Sequence, residues 1–285
     1  MANRPIVQRI LHRLSIIYGK EEAWLLRNGS FREKELYGVI PRQPYCYGML
    51  RAADQARFMG CKEITAVEFG VGDGAGLLNM IELAGAIEQE TGVKFNIVGF
   101  DAGSGLPAVR GYKDHAELWR AGDFPMQDRD GLVRRIGGRA QLIFGDINDT
   151  IEKLKPRLSA KNPLGFVAID VTLYSATAGA LRCLEWAPEL YPLGVSMYFD
   201  DTLFFYASEW AGELLAIKEF NARSKHRKIG EDRSVHAHRP HQHTGWYSGM
   251  FVCHVLDHEV RSEGAQRQSV TIDGHHEFMS KNVLY

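Results

Sequence analysis

An α/β fold with a parallel sheet covered on both faces is what this sequence predicts, and three observations predict it. Short runs, apolar nearly throughout, recur from Ile64 onward; amphipathic stretches of helical spacing separate them; and the first run passes through a glycine-rich turn directly into an apolar helix.

Ahead of the alternation, "RPIVQRILHRLSIIYG" sets Ile6, Ile10, Leu11, Leu14 and Ile17 at helical spacing. The stretch "YGMLRAADQARFMGCKE" repeats the pattern with Met49, Leu50, Ala53, Ala56 and Met59. Residues 1–60 therefore read as an N-terminal helical cap or lead-in, and 61–285 as the main domain. The runs "ITAVEF", "FNIVGF", "AQLIFG", "GFVAID" and "VSMYFD" have the length and composition of strands buried on both faces. Helices are expected over 77–90, 177–189 and 208–222, with a shorter one near 148–157, and "GMFVCHVL" at 249–256 reads as a last strand. No repeat, low-complexity segment or linker divides the chain.

Composition narrows the function classes. At 285 residues, 45% hydrophobic and 24% charged, the chain is long enough for a sizeable core and is not of disordered composition. Lys and Arg (34) nearly balance Asp and Glu (35), so no global field recruits nucleic acid or an anionic membrane. Cys46, Cys61, Cys183 and Cys253 are scattered without a CxxC, the N-terminal stretch lacks an apolar signal core, and no run approaches the roughly 20 apolar residues of a membrane span. A soluble, cytoplasmic protein without nucleic-acid or membrane partners is expected.

The stretch "AVEFGVGDGAGLL" carries Gly70, Gly72, Gly74 and Gly76 between strand and helix. Such a turn lets a ligand approach the backbone and the free N–H groups of the helix start. No Gly-Lys-Ser/Thr comes after it, which excludes a P-loop. A dinucleotide and S-adenosylmethionine remain, beside a plain structural turn. Leu77 stands where a dinucleotide loop would have its third glycine, and Glu68 and Asp73 would repel a diphosphate while suiting an ammonium and a sulfonium. Asp101, at the tip of the second strand, suits ribose hydroxyls in either cofactor. Asp146, at the third tip, suits an adenine amine with Ile147 against the ring, although Asp146 or Asp149 would equally serve as a helix N-cap.

In order, "VEFGVGDGAGLL", "VGFDAGSGLP", "LIFGDINDT", "AIDVTLYSAT" and "YFDDTLFF" resemble the motifs of class I S-adenosylmethionine-dependent methyltransferases. The similarity is to the macrocin O-methyltransferase (TylF) group and its bacterial relatives, over roughly residues 45 to 256. The resemblance implies a Rossmann-like sheet of seven strands, six parallel and one antiparallel, with S-adenosylmethionine across the carboxyl ends. It implies Glu68, Gly70, Gly72 and Gly74 at the methionine end, Asp101 at the ribose and Asp146 at the adenine. "GMFVCHVL" would supply one of the last two strands.

Asp170 closes the fourth run and Asp200 and Asp201 the fifth, so all three would face the same crevice. Converging carboxylates either raise one another's pKa or bind a hard cation such as Mg²⁺. The resemblance implies Mg²⁺ on this set, acidifying a substrate hydroxyl whose proton a carboxylate or histidine takes. Asp170 and His243 are the candidates for that proton, and Asp170, Asp200 and Asp201 for the metal. Thr172 departs from the pattern, standing where the resembled group has a second aspartate; a metal-free site, or aspartates that merely cap helices, are the alternatives. His236, His238, His241 and His243 lie within "SVHAHRPHQHTGWY", which reads as a solvated loop, a lid carrying a base, or a zinc site. The insertion at 111–128 reads as part of an acceptor pocket or as surface packing. The stretch "EEAWLLRNGSFREKELYG" would cover the cofactor or mediate a homo-oligomer.

The expected function is methyl transfer from S-adenosylmethionine to a hydroxyl of a small molecule, such as a sugar or glycosylated natural product. The alternatives are a nicotinamide-dependent oxidoreductase, disfavoured by Glu68, Asp73 and Leu77, and a non-catalytic binding protein, toward which Thr172 points.

Overall fold

The computed structural model describes residues 22–204, 206–236, 239–240 and 244–263. His238, His241 and His243 of the histidine-rich stretch lie outside the described residues, and so does the predicted helix around Ile6–Ile17.

Seven strands form one sheet in the order β3-β2-β1-β4-β5-β7-β6. They are β1 (Glu63–Phe69), β2 (Lys94–Asp101), β3 (Gln141–Phe144), β4 (Leu164–Ile169), β5 (Gly194–Phe199), β6 (Arg227–Glu231) and β7 (Met250–Val255). Strands β1 to β5 pair in parallel, and β7 inserts antiparallel between β5 and β6. This is the Rossmann-like sheet of methyltransferase type, mostly parallel with one antiparallel strand. The β1 and β4 tips lie level, with Phe69 opposite Ile169, so the loops leaving the two strands emerge side by side at one edge.

The helices are α1 (Phe31–Leu36), α2 (Gln43–Phe58), α3 (Ala75–Thr91), α4 (Arg129–Ile136), α5 (Tyr174–Ala180) and α6 (Gly212–Arg223). Alternation along β1 sends Val67 and Phe69 into the core layer shared with α5 and α6, and Ile64 and Ala66 into the layer under α2 and α3. Residues 43–58 are thus part of the main core: Tyr45, Met49 and Ala53 pack with Leu77, Met80 and Phe166. Each fully buried Phe or Leu of these layers contributes about 1.5–3 kcal/mol.

Several boundaries differ from the sequence reading for local reasons. The helix expected over 177–189 starts earlier, at Tyr174, and degrades into 3₁₀ turns after Ala180, with Pro188 opening the last of them. The one near 148–157 is a single α-turn, Ile147–Thr150, continued by 3₁₀ turns around Pro156. The helix expected from 208 begins at Gly212. Strand β6 is not legible in the sequence; "RKIGE" carries one aliphatic side chain and sits at the sheet edge.

The N-terminal stretch docks on this body. Ser30 and Glu33 form a reciprocal cap on α1, and Arg32 makes a bidentate pair with buried Asp54 of α2 and a bond to Glu90 of α3. Glu35 and Arg239, both buried, pair with each other, joining α1 to the segment before β7. Among the described residues no helix is long and apolar enough to cross a membrane.

Candidate active site

The site begins at Glu68. Strand alternation places it on the face that carries Ile64 and Ala66, beneath α2, where it is 1% exposed. Tyr45, in the first turn of α2, donates its hydroxyl to Glu68 Oε1 at 2.7 Å. Oε2 is buried and has no hydrogen-bond partner among the described residues. Burial, and secondarily the charge of Asp170, pushes the Glu68 carboxyl up to about 8, against the opposing pull of the Tyr45 hydroxyl.

The glycine turn after β1 is shaped by close approach and by backbone sign. A methyl group at Gly76 would lie 1.7 Å from Glu68 Oε1, so only glycine lets α3 start against that carboxylate. Gly72 has φ +52° and open space where its side chain would be, which leaves backbone facing the crevice. Helix α3 has Gly74 as its N-cap and no side-chain cap, so its first N–H groups remain available to a ligand.

Asp101, at the tip of β2, accepts from Gly72 N–H at 2.8 Å through one oxygen and from Gly103 N–H at 2.6 Å through the other. Its carboxylate is thereby fixed beside the turn with lone pairs to spare. Asp73 is exposed and turned to a neighbouring loop, its Oδ1 accepting from Gln127 N–H at 2.8 Å. Asp146 accepts from the N–H and the side-chain amide of Asn148, the N-cap arrangement, and Ile147 is buried in the core with Ile143 and Ile151. Of the cofactor residues read from sequence, Glu68, Gly70, Gly72, Gly74 and Asp101 thus surround one turn. Asp73, Asp146 and Ile147 have structural engagements of their own.

The β4 and β5 tips supply the acids. Asp170 N–H bonds to Phe69 O at 2.9 Å, which seats Asp170 beside the β1 tip. Burial first, then the charges of Asp200 and Asp201, push its carboxyl up to about 7. Tyr198 donates to Asp200 Oδ1 at 2.7 Å. Asp201 is raised mainly by burial, while Thr172 sits in the left-handed region at φ +57°. A β-branched residue there is a genuine backbone outlier. The three aspartates share one neighbourhood, but among the described residues no three His, Cys, Asp or Glu side chains form a group that could hold a metal ion. Asp200 Oδ1 is engaged by Tyr198, so in this arrangement the three carboxylates are not gathered into one cage.

Two residues of this neighbourhood escape a reading of the sequence. Glu213, in the first turn of α6, is 1% exposed; its Oε2 accepts from Asp201 N–H at 3.0 Å and its Oε1 has no partner among the described residues. Burial and then Asp201 hold it well above the usual carboxylate range. In sequence it reads as one acidic residue of an amphipathic helix. His115, from the 111–128 insertion, is 5% exposed, with Nδ1 3.0 Å from Glu117 Oε1 and a buried, unpartnered Nε2; its charge favours ionised Asp201. Asp114 fixes the insertion, accepting from Arg110 N–H, Ser175 N–H and the Ser175 hydroxyl.

Toward the N-terminal side, a cleft of about 510 Å³ is lined by residues including Leu36, Tyr37, Gln43, Arg239 and Tyr247. Gln43 is the chain neighbour of Arg42, whose guanidinium lies 5.3 Å from the Tyr45 ring centre.

Sheet order and crevice together define a Rossmann-like protein of methyltransferase sheet type, with a glycine turn beside a buried acid at the strand tips. No protein-family model matches the chain, and no curated protein does. Among solved structures it is similar to CalS11, a calicheamicin methyltransferase, at 19% identity over 90% of this chain and 95% of that one, with a TM-score of 0.49. It is similar also to the O-methyltransferase NovP, at 17% identity over 64% and 72%, TM-score 0.47. An O-methyltransferase from Bacillus cereus in complex with SAH matches at 15% identity over 76% and 81%, TM-score 0.37.

Proposed function

We propose that this chain is an S-adenosylmethionine-dependent methyltransferase acting on a hydroxyl of a small molecule, with a sugar or glycosylated natural product as the acceptor class. One observation carries the reading: Glu68 is a buried carboxylate with an unpartnered oxygen, set against a turn whose Gly72 backbone faces open space. Burial raises this carboxyl to about 8, so it ionises at neutral pH only when a cation completes it, and the ammonium of an amino-acid-bearing cofactor is such a cation. A diphosphate in the same place would bring no cation to Glu68 and would oppose its ionisation, which argues against a nicotinamide cofactor.

The residues present fit the adenosyl cofactor. Glu68 would take its ammonium, the Gly72 and Gly74 backbone would back its chain, and Asp101, already oriented by two N–H groups, would accept from ribose hydroxyls. Asp146 would offer the adenine amine its Oδ2, since both bonds from Asn148 fall on Oδ1. When bound, the cofactor supplies an electrophilic methyl whose bond pair leaves on sulfur. The chain's part is to hold the acceptor hydroxyl in line and to receive its proton. Asp170 is placed for that, next to the β1 tip and with a pKa near neutrality, where a general base works best. The 111–128 insertion brings His115 near enough for its charge to act on Asp201.

A hard divalent cation, Mg²⁺ by preference, is proposed as a companion of Asp170, Asp200 and Asp201. What supports it is the donor chemistry alone: three carboxylates in one neighbourhood, with charge that oxygen-loving cations would neutralise. No step is derived through it.

The test is calorimetric titration of the protein with S-adenosylhomocysteine, with and without Mg²⁺, against NADH. Micromolar binding of the first and none of the second upholds the cofactor. A magnesium-dependent change in that binding upholds the cation. Binding of NADH alone would move the reading to an oxidoreductase.

A further inference from the structure

Arg42 has a place and a conformation that the proposed chemistry leaves unused. It is the N-cap of α2, yet its side chain makes no capping bond. Its backbone is in the left-handed region, φ 50° and ψ 60°, which long side chains seldom adopt. The conformation is held by local chemistry: the Arg42 carbonyl accepts from Tyr45 N–H at 3.0 Å and Cys46 N–H at 3.2 Å, and Pro44 sits in the first turn. The result aims the guanidinium over the Tyr45 ring, and that ring's hydroxyl holds Glu68.

Arg42 is exposed, and among the described residues no acid lies within ion-pair distance of it. Its charge nevertheless reaches both Glu68 and Asp170, favouring the ionised form of each. The mouth of the crevice therefore presents one buried carboxyl with an unused oxygen and one cation with an unused fork, separated by the Tyr45 ring. That pattern complements a zwitterion: an ammonium for Glu68 and a carboxylate for Arg42, whose planar donors match a carboxylate two to two.

We infer that Arg42 binds the α-carboxylate of the cofactor's amino-acid tail, so that Arg42 and Glu68 together read the tail as a zwitterion. The inference rests on the adenosyl-cofactor reading above and adds to it a residue that no glycine-turn motif contains. It assigns a role to the "PRQP" corner, which would be strained to no purpose if Arg42 served only as a helix start.

Two ligands separate the tail from the rest of the cofactor. S-adenosylhomocysteine carries the zwitterion; 5′-methylthioadenosine has the same adenosyl thioether without it. Calorimetry on the full chain compares wild type with Arg42→Ala, Arg42→Lys and Arg42→Gly, the last suited to the left-handed backbone. The expected result is at least a tenfold loss of S-adenosylhomocysteine affinity in the Ala and Gly variants and a smaller loss in Lys. Methylthioadenosine affinity should stay within twofold throughout. Thermal unfolding of each variant near the wild-type midpoint accompanies this result. Unchanged S-adenosylhomocysteine affinity in Arg42→Gly would overturn the role of Arg42 while leaving the cofactor reading intact. Equal losses for both ligands would overturn it too, by making Arg42 a support of pocket shape. A wild type that binds neither ligand would remove the cofactor reading and this inference with it.

Discussion

The Tyr45 hydroxyl donates to Glu68 Oε1 at 2.7 Å, tying the first turn of α2 to the tip of β1. Through this bond the N-terminal third of the chain shapes the crevice, and the tie leaves the other carboxylate oxygen buried and unpartnered.

Stability should depend on pH through this acid. The Glu68 carboxyl is raised from its ordinary 4.5 to about 8, so the folded chain holds this proton where the unfolded chain releases it. Its contribution to stability is complete below about pH 4.5 and is lost as pH rises through about 8. Denaturant titrations between pH 5 and 7.5 should therefore show stability falling with pH. In Glu68→Gln that slope should be shallower by up to one proton's worth, about 1.4 kcal/mol per pH unit. Equal slopes in the two proteins would contradict the burial argument.

Two glycines of the turn should separate stability from binding. Gly76→Ala drives a methyl into Glu68 Oε1 and should cost about 1–3 kcal/mol of stability, as overpacking does. Gly72→Ala meets open space and strains only the backbone, costing about 1–2 kcal/mol. Its methyl would nevertheless occupy the place proposed for the cofactor, so S-adenosylhomocysteine affinity should fall more than tenfold. Chemical denaturation and calorimetry on the same samples give both numbers.

Asp170→Asn removes one charge from a crowded set. Because the Asp170 carboxyl is raised from 3.8 to about 7, its contribution to stability is complete below about pH 4 and is lost as pH rises to about 7. The advantage of the variant over wild type in melting temperature should grow from pH 4 to pH 7 and level off by pH 8. If the aspartates take Mg²⁺, millimolar Mg²⁺ should raise the wild-type midpoint at pH 8 and leave the variant unmoved.

Asp114, 1% exposed, clamps the insertion to α5 through two accepted bonds from Ser175 and closes it on itself through a third from Arg110 N–H. Asp114→Ala should cost about 1–3 kcal/mol by leaving two N–H groups and the Ser175 hydroxyl without their acceptor. It should also raise amide exchange across 110–116. Ser175→Ala, which loses only the hydroxyl bond, should cost about 1 kcal/mol. Exchange unchanged in the Asp114 variant would show that the insertion is held by other contacts.

Much of this protein was determined by sequence alone, because the signals are local. The apolar runs 64–69, 95–100, 165–170 and 195–200 become central strands since nothing else buries four to six consecutive apolar residues on both faces. Gly70 to Gly76 mark the turn, and Asp101, Asp170 and Asp200 mark the tips, because a residue that closes a parallel strand has its position set by chain direction. Tertiary structure decided the rest. Strand β6 has almost no apolar pattern and is a strand because β7 offers it backbone partners. Arg42, His115 and Glu213 come from a corner, an insertion and a helix start that no spacing links to the glycine turn; the sheet brings them to its carboxyl edge. Whether three aspartates make a cage also depends on side-chain direction, and Tyr198 gives one of them another partner. Local pattern decides where charge enters the fold, but the partner of each charge is set by long-range packing, which has no period to read.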